Sequence, residues 1–128
     1  MEKNIQITSE RIGVVEAELL EDRNPATVKA IWENLPFEAQ ANTWGDEIYF
    51  EIPVSLSEEN AQKTVESGDL GYWPSGKCFC IFFGPTPISQ GNEIRPASAV
   101  NVFGKVKGNP RILTKVISGD KVRVEKAE

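Results

Sequence analysis

Histidine is missing from all 128 residues. That absence excludes a Ser-His-Asp triad, a Cys-His pair and any histidine metal site. Cysteine is nearly missing too, with Cys78 and Cys80 the only thiols. They stand two apart in a run that reads as a strand, so both point to one face. Their Cα atoms would lie ~6.5 Å apart, near the upper limit for a disulfide. The expectation is a pair of small, buried, reduced residues in a cytoplasmic protein. A zinc site would have to draw on carboxylates, so no metal and no cofactor is expected. No apolar run approaches the ~18 residues of a membrane helix, and no hydrophobic stretch follows Met1-Glu2-Lys3-Asn4 as in a signal peptide. What is present, 40% apolar residues in 128, suits a single domain over 1–128 that buries roughly two-thirds of its unfolded surface.

Positive charge is absent from Ala30 to Gln62, where Glu33, Glu38, Asp46, Glu47, Glu51, Glu58 and Glu59 stand. The basic residues gather later, at Lys105, Lys107, Arg111, Lys115, Lys121, Arg123 and Lys126. An acidic middle opposes duplex DNA, whose phosphates need clustered cations. Lys121 and Arg123 also alternate with Val122 and Val124, as on a half-exposed strand. No nucleic-acid partner is expected.

Hydrophobic periodicity supplies the elements. Ile5 and Ile7 alternate with polar neighbours, as do Val15, Ala17 and Leu19, giving two short strands. The period then changes: Val28, Ile31, Trp32 and Leu35 share one face of an α-helix. Asn24 suits its N-cap, Pro25 its first position and Pro36 its end. Phe37, Ala39 and Ala41, then Ile48, Phe50 and Ile52, read as a hairpin about the Trp44-Gly45-Asp46 turn. Ser55 to Ser67 reads mostly as loop, with a capping box at Ser55 and Glu58 that allows one helical turn. Six apolar residues from Cys78 to Phe83 predict a strand buried on both faces. Val100, Val102 and Val106 line one face of another strand. Asn109-Pro110 opens a second helix with Ile112, Leu113, Val116 and Ile117 on one face, closed by Gly119. Val122 and Val124 give a last strand. Seven or eight short strands in so few residues are best served by a closed barrel, which removes sticky edges.

Three segments, in order, carry a family resemblance. Glu18-Leu19-Leu20-Glu21-Asp22-Arg23-Asn24-Pro25-Ala26-Thr27 is similar to the cyclophilin segment in which a strand ends Glu-Leu, an Asp follows and Pro-x-Thr opens the first helix. Gly76-Lys77-Cys78-Phe79-Cys80-Ile81 stands where cyclophilins carry a Gly-Ser-Gln-Phe-Phe-Ile strand. Val102-Phe103-Gly104-Lys105-Val106-Lys107-Gly108 resembles their Val-Phe-Gly-Lys-Val-x-x-Gly stretch. The Trp-Gly-Asp-Glu turn before Tyr-Phe, and Gly-Tyr-Trp-Pro before a Phe-Phe-Gly strand end, are closer still to small archaeal and bacterial cyclophilin-like proteins of unassigned function. The resemblance spans roughly residues 14–118. It implies a mainly β fold, a closed eight-stranded cyclophilin-like barrel capped by two short α-helices.

It also implies where the chemistry would be. Cyclophilins speed rotation about X-Pro bonds with an arginine that stabilises the twisted amide, beside a shallow apolar pocket. Aligning on Pro53 puts Ile48-Tyr49-Phe50 where their Phe-His-Arg would stand, and no Arg or Lys lies within reach of that position. Arg95 falls where many cyclophilins carry an aromatic residue. The leading expectation is therefore a non-catalytic module binding a small molecule or peptide in a cleft on the barrel. Its expected ligand-binding residues are Trp44, Tyr49, Phe50, Tyr72, Trp73, Phe83 and Arg95; no catalytic residue is assigned. The alternatives are a prolyl isomerase with Arg95 as a relocated cation, and an interaction subunit presenting its acidic centre. The other carboxylates make a poor hydrolase: on a strand, Glu47 and Glu51 would lie about 13 Å apart, beyond the ~6.5–9.5 Å of an inverting glycosidase.

Overall fold

The computed structural model describes residues 3–127. Its elements are β1 (Lys3–Ser9), β2 (Gly13–Leu19), α1 (Pro25–Asn34), β3 (Phe37–Gln40), β4 (Asn42–Thr43), β5 (Glu47–Glu51), β6 (Asp69–Trp73), β7 (Cys78–Phe82), β8 (Asn101–Val106), a 3₁₀ helix (Pro110–Lys115) and β9 (Lys121–Lys126). The strands form one sheet in the order β3-β9-β1-β2-β8-β6-β7-β5-β4. The two outermost segments are neighbours in the chain, separated only by Ala41, whose N–H donates to the carbonyl of Asp120 (2.8 Å). One bent strand thus pairs first with β9 and then with β5. Counted once, it leaves eight strands, and its bend closes the sheet on itself.

Alternation along the strands fills the interior. Ile5, Ile7, Val15, Ala17, Leu19, Ile48, Phe50, Leu70, Phe79, Ile81 and Val124 form the main core, joined by Val28 and Ile31 from α1. Phe79 stacks on Phe50 and meets Phe103 edge-on, each with ring centroids 5.1 Å apart; such pairs contribute about 0.5–1.5 kcal/mol beyond burial.

Several sequence expectations need correction. The hairpin about Trp44 joins β4 to β5, while Phe37–Gln40 pairs with β9. Asp69–Trp73 is a strand of its own, hairpinned to β7; Gly71 and Pro74 hid it from the pattern. The second helix is 3₁₀ rather than α. It spans Pro110–Lys115 and buries Leu113 with Ile112 exposed; beyond its end Val116 is buried in extended chain and Ile117 is exposed. Asn24 holds the N-cap position, but its side chain does not cap α1: its Nδ2 donates to the carbonyl of Val102 and its Oδ1 accepts from the N–H of Asn60, both at 2.7 Å. The free N–H groups of Ala26 and Thr27 are met instead by the Glu59 carboxylate, at 3.1 Å each. Residues 55–58 form no helical turn.

Val100, just before β8, and Val102 on it do not share a face with Val106. Leu70 pairs with Gly104 and Gly71 with Val102, so Phe103 is an extra residue that switches the alternation. Val106 joins the main core; Val100 and Val102 face outward. Gly104 permits the close approach there, since a Cβ would stand 2.7 Å from the carbonyl oxygen of Glu18 and 2.9 Å from Leu70 Cδ1. Among the described residues, no helix is long and apolar enough to cross a membrane.

Candidate functional site

The barrel wall made by β5, β6 and β7 is buried on both sides. Its outward residues Cys78, Cys80 and Phe82 join Val65, Ile94, Val100 and Val102 in a second, smaller core, with Tyr49 and Trp73 packed against it. The cover comes from two loop segments joined by isolated bridges, Gln62 to Val100 and Val65 to Ile94. Gly71 makes room for it, because a Cβ there would stand 2.9 Å from Val100 Cγ2 and 3.2 Å from the Phe82 ring.

Between the wall and the cover lies a pocket of about 210 Å³ lined by Trp44, Glu47, Tyr49, Trp73, Cys80 and Pro96, together with Ala97 and Val100. Strand register explains the grouping. Glu47 and Tyr49 alternate with Ile48 and Phe50, and Tyr49 pairs with Cys80. Trp44 is delivered by the turn, whose N–H donates to the carbonyl of Glu47 (3.0 Å). That turn is held down by Asp46 N–H on the carbonyl of Pro85 and by Phe83 N–H on the carbonyl of Asp46, both at 2.9 Å. Trp73 is fixed through its indole N–H, which donates to Ser98 Oγ on the covering loop.

Glu47 is the unusual member, a carboxyl only 5% exposed in a largely apolar lining. Burial pushes it up to about 7, opposed by a hydrogen bond with the Cys80 thiol. The same burial pushes Cys78 up to about 11, helped by the nearby Glu51 and Glu47 carboxylates, and pushes Cys80 well up. Both thiols are free, so the expectation of two buried, unbridged cysteines holds.

Of the residues singled out from sequence, Trp44, Tyr49 and Trp73 come together at this pocket. Phe50 and Tyr72 do not. They are 1% and 0% exposed and belong to the main core, where Tyr72 donates its hydroxyl to the carbonyl of Val54 (2.6 Å). Their strand parity points them inward. Phe83 is also core, lying under the Arg111 guanidinium at 6.0 Å. Arg95 turns its guanidinium to Glu93 (2.7 and 3.3 Å) and is absent from the lining, although its neighbour Pro96 forms part of the wall. Sequence reasoning missed Glu47, Cys80 and Pro96 as lining residues. A signal existed for the first: Glu47 stands two residues before Tyr49 on a strand, and so on the same face.

A larger, polar recess of about 330 Å³ lies near Arg23, Gln62, Asp69 and Lys105. Its polar groups are engaged with one another: Arg23 donates to Gln62 (2.6 Å), and Asp69 accepts from Glu66 N–H (2.8 Å). Lys105 lies 3.5 Å from Glu66 and 3.9 Å from Asp69. The acidic centre is likewise largely absorbed. Glu38 meets Lys121 and Arg123, Asp46 meets Arg111, Glu59 serves α1 and Glu47 is buried. Among the described residues, no group of three or more Cys, Asp and Glu side chains is placed to hold a metal ion.

Comparison with known proteins agrees with this architecture. The family model described as cyclophilin-like matches residues 3–125. The solution structure of a hypothetical protein from Archaeoglobus fulgidus is 46% identical, with a TM-score of 0.83 over 98% of this chain and 95% of that one. A search of curated proteins finds no match. A family match over nearly the whole sequence, together with a solved structure of the same fold at 46% identity, means that the chain belongs to the cyclophilin-like family.

Proposed function

We propose that this cyclophilin-like domain is a binding module that holds a small molecule, or the end of a peptide, in the pocket between the β5–β7 wall and the covering loop. The observation that carries the reading is Glu47. Burying a carboxyl is costly unless a partner compensates it; no cation lines the cavity into which Glu47 opens, and three aromatic side chains do. Ligand sites are typically apolar recesses with a few placed polar groups. The pocket sits outside the barrel, so a guest there leaves the main core undisturbed. An NMR fragment screen tests this: shifts should concentrate on Trp44, Tyr49 and Trp73, and hits confined to other surfaces would refute it.

The second reading is prolyl isomerisation with Arg95 as the cation. What favours it is position, since Arg95 immediately precedes Pro96 of the pocket wall. Against it stands the Glu93 carboxylate, which already occupies the guanidinium. A coupled proline-peptide assay comparing the native protein with Arg95→Ala decides the matter; equal background rates in both dispose of it.

A further inference from the structure

The chemistry of the pocket narrows its guest. Glu47 is only 5% exposed, and the Cys80 thiol is hydrogen-bonded to its carboxyl. None of the eight lining residues is Lys or Arg. The nearest guanidinium along the cover, that of Arg95, is paired with Glu93. The titratable groups on this side of the wall are the Cys80 and Cys78 thiols on β7 and Tyr49 and Glu51 on Glu47's own strand, with the indoles of Trp44 and Trp73 beside them.

Resting on the reading of this pocket as a ligand site, we propose that its guest is a small organic cation, an alkylammonium head group seated against Trp44, Tyr49 and Trp73 with its charge toward Glu47. Three physical arguments converge on this class. A carboxylate at the wall of a largely apolar recess attracts a positive charge more strongly than it would in bulk water. Aromatic faces add cation–π attraction, worth about 0.5–2 kcal/mol per well-placed ring. Size agrees as well: about 210 Å³ is below the ~300–1,000 Å³ of sites for drug-sized molecules, and an ammonium with a short chain fits it. An anionic guest would face the carboxylate with no compensating cation. A neutral guest could share a hydrogen bond with the carboxyl but would gain no ion pair from its ionised form.

Burial of the carboxyl also gives the proposal a pH signature. With Glu47 protonated below about 7, a cation finds no charge to meet; above it, the ion pair forms. Affinity should rise with pH through neutrality.

Choline, tetramethylammonium and 3,3-dimethylbutan-1-ol, the uncharged analogue of choline, are the probes. Indole Nε1 shifts of Trp44 and Trp73 are the readout, with Trp32, which already carries Lys3 and Lys126 over its ring, as the internal control. Choline should bind at least tenfold more tightly than the alcohol at pH 8 and lose about tenfold by pH 5.5. E47Q should remove that pH dependence and most of the preference. Tyr49→Leu, which keeps apolar bulk without a π face, should weaken choline more than the alcohol. Equal binding of choline and the alcohol, or an unchanged preference in E47Q, overturns the cation while leaving the pocket reading intact. No shift with either cation also overturns it, and the fragment screen then judges the pocket by itself. Tighter binding by a trimethyl-lysine peptide than by choline would overturn a free small ion as the guest.

Discussion

Arg111 Nη1 donates to both Asp46 Oδ2 (2.8 Å) and the carbonyl of Phe83 (2.9 Å). One side chain from the 3₁₀ helix thereby ties the turn that carries Trp44 and Glu47 to the end of β7. Gly84 lies beneath the junction, where a Cβ would collide with both Asp46 and Arg111. The ion pair is partly exposed and by itself worth less than about 1 kcal/mol. Its second bond, to a carbonyl, adds a charge-assisted contact. Arg111→Ala should lower unfolding stability by about 1–2 kcal/mol by denaturant titration. It should also increase quenching of tryptophan fluorescence by acrylamide as Trp44 loosens.

Glu47 should impose a pH dependence on stability. Its folded carboxyl holds a proton up to about 7, against 4.5 for an ordinary glutamate. Between those values the folded chain binds more protons than the unfolded chain, so stability falls as pH rises through this window and levels off above it. The loss is up to about 3 kcal/mol. Asp69 is raised in the same sense by burial, so the comparison with E47Q isolates the effect. E47Q should be the more stable protein at pH 8, by denaturant titration, and the advantage should shrink toward pH 4.5.

Glu59 should behave as a helix cap supplied from 32 residues away. It accepts from Ala26 N–H, Thr27 N–H and Thr27 Oγ1, and its own N–H donates to Asn101 Oδ1 (2.9 Å). Glu59→Ala should cost about 1–2 kcal/mol, the range for loss of an N-cap, with amide exchange fastest at the start of α1. Unchanged exchange there would contradict the assignment.

Gly104→Ala should be more damaging than its single methyl suggests. The new Cβ meets a strand carbonyl, which cannot swing aside as a side chain can. Overpacking of this kind costs about 1–3 kcal/mol, readable as a lowered Tm.

Cys78 and Cys80 should resist thiol reagents in the folded protein. Each is buried and held in the thiol form at neutral pH, while the thiolate is the reactive species. Labelling with a disulfide reagent at pH 8 should be slow and accelerate with urea in step with unfolding. Fast labelling under native conditions would mean that the covering loop opens.

Much of the barrel was legible because alternation is a local signal. Ile5 and Ile7, or Val122 and Val124, announce a half-buried strand wherever they end up in the sheet. β6 was harder to read because Gly71 sacrifices a side chain to admit Val100 and Phe82, a demand made by tertiary packing. The 3₁₀ turn is misleading because Ile112, Leu113, Val116 and Ile117 share a face at an α period, whereas the helix ends at Lys115, before Val116 and Ile117. At the pocket, aromatic residues were visible but their sides were not. Tyr49 and Phe50 are adjacent in sequence and separated by the full thickness of the wall. Parity along β5 distinguishes them only once it is known that a loop more than 40 residues downstream roofs one face.

The two-faced wall separates what the barrel needs from what the outer recess needs. On β7, Phe79 and Ile81 serve the interior while Cys78, Cys80 and Phe82 serve the outer recess. Odd and even positions of one strand thus answer to different demands. The lining of the recess can be rewritten, one alternate residue at a time, with the cylinder left as it stands.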